Sequence, residues 1–125
     1  MRRALFVGLM SGTSLDGVDA VLADFSERRP QLLAHQHAAF APELRRELEL
    51  LMTPGWDDVG RGAIVAQHLT RLYATTCMDV LRHAGVDANH VSAIGAHGQT
   101  IRHRPDEGYT IQLSAPALLA ELTGI

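Results

Sequence analysis

The sequence predicts an α/β fold that opens with three sequential antiparallel strands packed by helices. Three observations carry that prediction. Short apolar runs, each bounded by turn residues, fill the stretch from Leu5 to Phe40. Two amphipathic segments of helical period follow. From Val91 onward, strand-like and helix-like segments alternate to the last residue, Ile125.

Taken in order, Leu5 to Leu9 (LFVGL) is short and apolar and reads as a buried strand. The polar loop Met10 to Gly17 separates it from Val18 to Phe25 (VDAVLADF), a second strand joined to the first as a hairpin. The charged turn Glu27-Arg28-Arg29-Pro30 leads to a third, more weakly patterned strand within Gln31 to Phe40. Pro42 suits the first position of a helix, with Leu44, Leu48, Leu51 and Met52 on one face and Thr53-Pro54-Gly55 ending it. Asp57 or Asp58 can cap a longer helix, whose apolar face runs Val59, Ala63, Leu69, Tyr73, Cys77, Val80 and Ala84 to a stop at Gly85. Gly60 and Gly62 weaken its first turn, which favours a later start. Val91 to Ala96 reads as another buried strand and leads into the loop His97-Gly98-Gln99-Thr100. Tyr109 to Leu113 is a further strand, and Pro116 to Leu122 begins a helix. The chain then stops where an α/β protein normally enters its next strand, so it reads as a fragment.

Composition narrows the function classes. The 125 residues are 46% hydrophobic and 20% charged, the balance of a globular domain with one core. No run approaches the ~18 apolar residues that span a bilayer. Arg2 and Arg3 precede only a short apolar stretch, which Ser11, Asp16 and Asp19 soon interrupt, so no signal peptide is read and the expected compartment is the cytoplasm. The single cysteine, Cys77, agrees with a reducing compartment and sits on the long helix's apolar face as a core residue. Net charge is −3, and no basic stripe interleaved with aromatics appears, which argues against nucleic acid. All eleven basic residues are arginine. Without lysine there is no P-loop and no Schiff-base chemistry.

Two segments could carry chemistry. The first is Gly8-Leu9-Met10-Ser11-Gly12-Thr13-Ser14-Leu15-Asp16-Gly17-Val18-Asp19. Glycines let backbone N–H groups approach an anion closely, and hydroxyls add donors without bulk. Asp16 and Asp19 repel phosphate directly but can hold a hydrated Mg²⁺ that binds it. An ordinary hairpin turn uses the same residue types. Gly12-Thr13-Ser14-Leu15-Asp16 also nearly matches the nucleophile elbow of serine hydrolases, with Ser14 as nucleophile, although an elbow needs a helix after the serine. The second segment, His97 to Pro105, sits at the end of a strand, where α/β proteins place ligands, and Gln99 and Thr100 suit a sugar. His97 and His103 could equally satisfy loop backbone groups. The remaining histidines (His35, His37, His68, His83, His90) show no partner pattern and read as surface residues.

In GLMSGTSLDGVDA, AIGAHGQTIRHRP and YTIQL…PALLAELTGI, taken in this order, the chain resembles the amino-terminal part of the anhydro-N-acetylmuramic acid kinases, over essentially its whole length. The resemblance implies one lobe of an actin and sugar-kinase-like fold, a mixed sheet starting with three antiparallel strands, with the second lobe absent from residues 1–125. It implies an ATP-dependent kinase that opens the 1,6-anhydro ring of anhydro-N-acetylmuramic acid with water and phosphorylates O6, in the recycling of cell-wall sugars. Gly12, Thr13, Ser14, Leu15, Asp16, Gly17, Val18 and Asp19 would then form the ATP phosphate loop, with Asp16 and Asp19 nearest Mg²⁺. His97, Gln99 and Thr100 would line the sugar cleft. The implied partner is a small amino sugar, with a homodimer expected of the complete protein and neither nucleic acid nor membrane. The family usually continues after Thr110-Ile111-Gln112 with a glycine and an Asp or Asn, where this chain has Leu113-Ser114-Ala115-Pro116. Its catalytic aspartate lies in a later GPGN-containing segment beyond Ile125, so these residues alone are expected to be inactive. The alternatives are a non-catalytic phosphate- or sugar-binding fragment and the Ser14 hydrolase.

Overall fold

The computed structural model describes residues 3–125. Its elements are β1 (Leu5–Met10), β2 (Gly17–Asp24), β3 (Gln31–Ala39), α1 (Pro42–Leu51), α2 (Asp58–Ala84), β4 (Val91–Ala96), β5 (Gln99–Arg104), β6 (Tyr109–Leu113) and α3 (Pro116–Thr123). The main sheet has the order β3-β2-β1-β4, and β5 with β6 forms a separate hairpin. β1, β2 and β3 are antiparallel neighbours, whereas β4 pairs with β1 in parallel. The predicted α/β class and the three antiparallel opening strands are therefore present, in a mixed sheet.

Alternation along the strands decides which face is covered. Leu5, Val7 and Leu9 of β1 and Val18, Ala20 and Leu22 of β2 point to the same side and are buried. The long helix α2 lies over that side, with Leu69, Tyr73, Cys77 and Val80 fully buried against it. Leu48 and Leu51 of α1 complete the core. α2 ends at Gly85, whose left-handed φ of 66° directs its N–H to Arg82 O at 3.1 Å. The opposite face of the sheet is open. There Phe6 and Phe25 meet edge to face with centroids 5.5 Å apart, beside Gly8, Val21, Ala23 and Gly95. β1 and β4 are thus covered on one side only, and in β4 only Val91 is buried. Apolar composition suggested fuller burial because glycine and alanine carry too little side chain to reveal which face is covered.

Two features of α2 differ from expectation. The helix begins at Asp58 with Gly60 and Gly62 inside it. The Asp57 carboxylate accepts the Gly60 N–H at 3.3 Å and so stabilises the turn that glycine weakens. A Cβ at Gly62 would stand 3.5 Å from the Leu113 side chain, an ordinary van der Waals contact, so the hairpin packs directly against this turn of the helix. Val59 and Ala63 are exposed and line an open groove between α2 and β5–β6; the core positions of this half are Val65 and Ala66. The hairpin itself is the main addition. His97-Gly98 is a connection, and Gln99 and Thr100 already belong to β5. Arg102 of β5 pairs with Asp58 at 2.9 Å and donates to Leu51 O, tying the hairpin to the ends of both helices.

Candidate functional site

The parallel register of β1 and β4 sets Leu9 opposite Ala96, so the two strands deliver their carboxyl ends side by side. Such ends are where α/β sheets place ligands. From one emerges the loop Ser11 to Asp16, from the other His97 and Gly98. The His97 N–H donates to Leu9 O at 3.1 Å, closing the junction.

The loop is held at several points. Ser11 is buried and shares a 2.6 Å hydrogen bond with the hydroxyl of Tyr73 on α2. Leu15 N–H donates to Gly12 O at 3.1 Å, which makes residues 12–15 a turn with Thr13 and Ser14 exposed at its corner. Leu15 adopts a left-handed φ of 56°, a strained conformation for leucine, yet its side chain is anchored in the core. At Gly17 (φ 154°) a Cβ would stand 2.1 Å from Ala38 O, so only glycine lets β3 close against the start of β2. Sequence reasoning placed Tyr73 in the core but missed its bond to Ser11, because periodicity says nothing about where a hydroxyl ends.

Of the eight residues assigned to the phosphate loop, Thr13, Ser14, Asp16 and Asp19 are exposed and Gly12 half-buried. Leu15, Gly17 and Val18 are buried and could offer only backbone to a ligand. Asp19 is not on the loop but on β2, directly across from His37 of β3. His35 Nε2 and His37 Nδ1 both donate to its Oδ1, at 2.9 and 3.1 Å. The bond from His35 above all, with that from His37, holds the Asp19 carboxyl below the ordinary carboxylate range. These two histidines therefore do have a partner. The pairing escapes sequence inspection because it depends on the β2–β3 register.

The second segment is split. His97 is exposed, with Nδ1 donating to its neighbour Gly98 O at 3.0 Å. Gly98 has φ 81°, and a Cβ there would lie 2.5 Å from Leu113 O. Thr100 is half-buried and its Oγ1 accepts from Gln112 Nε2 at 3.1 Å. Gln99 is fully buried, and its Nε2 reaches across to Gly12 O at 3.1 Å. The structure thus joins the two candidate segments, but through Gln99 rather than by turning Gln99 outward.

The residues present fit a polyphosphate with a hydrated divalent cation. At Gly12 a Cβ would meet only Ser14 Oγ, at 3.8 Å, which leaves the turn open to close approach. Among the described residues no group of three or more potential ligands gathers to enclose a metal ion. A Mg²⁺ held through water and phosphate oxygens would need only one or two carboxylates, and Asp16 and Asp19 are the exposed ones here. The hydrolase alternative loses its support, since strand β2 follows Ser14 where an elbow requires a helix.

Among the described residues no helix is long and apolar enough to cross a membrane. The chain is 52% identical to an anhydro-N-acetylmuramic acid kinase of Variovorax paradoxus, over 100% of its own length and 34% of that protein's. It is 53% identical to the enzymes of the same name from Cupriavidus metallidurans and Bordetella pertussis, over 97% of this chain and 33% and 32% of theirs. The chain therefore spans about a third of the length of these relatives. A sequence profile of the anhydro-N-acetylmuramic acid kinases matches residues 4–125, and the chain belongs to that family.

Proposed function

We propose that residues 1–125 supply the ATP phosphate loop and one wall of the sugar site of an ATP-dependent anhydro-N-acetylmuramic acid kinase, as an incomplete lobe of the actin and sugar-kinase type. The observation that carries this reading is the β1–β4 register, which sets the turn at residues 12–15 beside the His97–Thr100 segment. Thr13, Ser14 and the loop amides would hold the ATP phosphates, and Asp16 and Asp19 would hold Mg²⁺ through water. Mg·ATP, when bound, supplies the phosphoryl group and neutralises its developing charge. His97 and Thr100 would contact the amino sugar, and Gln99 would act from beneath. Water opening of the anhydro ring needs a base, and no residue here stands in for the aspartate expected beyond Ile125. The isolated chain would accordingly bind without turnover, in the cytoplasm, while the complete protein performs peptidoglycan-sugar recycling.

The test is a titration of the isotope-labelled chain with Mg·ATP, read by backbone amide shifts. Shifts should concentrate on residues 12–16 and weaken in Asp16→Asn. A folded chain whose shifts are absent, or confined to a distant surface, would reduce the loop to a hairpin turn.

A further inference from the structure

We propose that Gln99 is a positioning residue, a latch that sets the direction of the Gly12–Thr13 peptide from the sugar-side strand. The inference rests on the phosphate-loop reading above and gives Gln99 a role other than touching sugar. Gln99 has no exposed surface, and its Nε2 bonds a carbonyl 87 residues away in sequence. Gly12 O accepts two hydrogen bonds, one from Leu15 N–H within the turn and one from Gln99 Nε2. In a trans peptide the C=O and the following N–H point in opposite directions. Holding Gly12 O inward on Gln99 therefore aims the Thr13 N–H outward, past the exposed Thr13 and Ser14. An anion approaching the turn meets that donor already oriented. The glycine beside this peptide makes the alternative, flipped peptide accessible, and loss of the latch would admit it.

The amide orientation of Gln99 follows from its neighbours. Its Nε2 faces two acceptors, Gly12 O at 3.1 Å and Thr100 O at 3.4 Å. An exchanged amide would set three oxygens together. The other end, Oε1, is buried with no hydrogen-bond partner among the described residues. A buried acceptor left without a donor costs stability, so glutamine is a poor choice for filling this space. A leucine or methionine would fill it without an orphaned oxygen. The glutamine is explained by what its nitrogen does to the loop.

The experiment compares wild-type chain with Gln99→Leu, Gln99→Met and Gln99→Glu by two readouts, amide hydrogen exchange and Mg·ATP affinity. The latch predicts that Leu15 N–H exchanges about tenfold faster in the folded Leu and Met variants, while amides of β1 and β2 keep their protection. It predicts Mg·ATP affinity about three- to tenfold weaker, the worth of one oriented hydrogen bond. Gln99→Glu, which keeps the size but turns an oxygen toward Gly12 O, should show the larger effect on both. If Gln99→Leu does not fold, Gln99→Met carries the same comparison. Unchanged Leu15 exchange in a folded variant overturns the latch, as does exchange that rises evenly over the sheet with affinity unaltered. If Leu15 exchange rises but the wild-type chain itself ignores Mg·ATP, the phosphate-loop reading fails, and with it the latch's role in phosphate positioning.

Discussion

Tyr73→Phe removes one oxygen, and its cost should expose how firmly the candidate loop is tied to the long helix. Tyr73 has no exposed surface, Ser11 is 2% exposed, and their hydroxyls lie 2.6 Å apart. The single variant leaves Ser11 Oγ buried without its partner, which costs about 1–3 kcal/mol. For a domain of this size that corresponds to a fall in Tm of roughly 4–12 °C. Ser11→Ala orphans the tyrosine hydroxyl instead and should cost a similar amount. The double variant removes both polar groups together and should be close to neutral, so the coupling energy in a double-mutant cycle approaches the sum of the two single costs, about 2–6 kcal/mol in magnitude. Urea unfolding of the four proteins measures it. Additive single-variant effects, or a Tyr73→Phe chain as stable as wild type, would refute the claim that this bond anchors the loop.

In a chimera whose first third is residues 1–125 and whose remainder comes from the Variovorax relative, Asp16→Asn should lower turnover about 10²–10³-fold without altering Tm. Steady-state kinetics at saturating Mg·ATP decide it, and unchanged turnover removes Asp16 from the site. Gly17→Ala would thrust a Cβ to 2.1 Å from Ala38 O, and thermal melts should show a loss of about 1–3 kcal/mol. Burial pushes the Cys77 thiol up to about 11 from an unfolded value of 9.0, so the folded state resists ionisation that the unfolded chain undergoes. The stability this represents is present below pH 9.0 and lost as pH rises through about 11. Urea midpoints of wild type should therefore fall toward those of Cys77→Ala over that window, and Ellman's reagent at pH 8 should label Cys77 only after unfolding.

Much of the fold was legible because it rests on local signals. Pro42 marks the start of α1, Gly85 ends α2, and the apolar patterning of Leu5–Leu9 and Val18–Phe25 reports strands. What stayed hidden depends on register and distance. Asp19 meets His35 and His37 only because β2 and β3 pair as they do, and Val59 loses its place in the core because α2 there faces a hairpin with an open groove. β5 was hidden by His97-Gly98-Gln99-Thr100, whose glycine and polar residues look like a loop but whose Gln99 is buried. The two candidate segments could be named from the sequence, whereas their contact through Gln99 could not.

The most direct test of the account measures N-acetylmuramic acid 6-phosphate formed from Mg·ATP and anhydro-N-acetylmuramic acid by the Variovorax chimera and by residues 1–125 alone. The account predicts product from the chimera and none from the isolated chain, to which it assigns a phosphate loop and part of a sugar wall but no water-activating base. Turnover by the isolated chain on the order of 10 per second would mean a base within these residues that their geometry does not suggest. A folded chimera that makes no product would contradict the assignment of the loop to ATP.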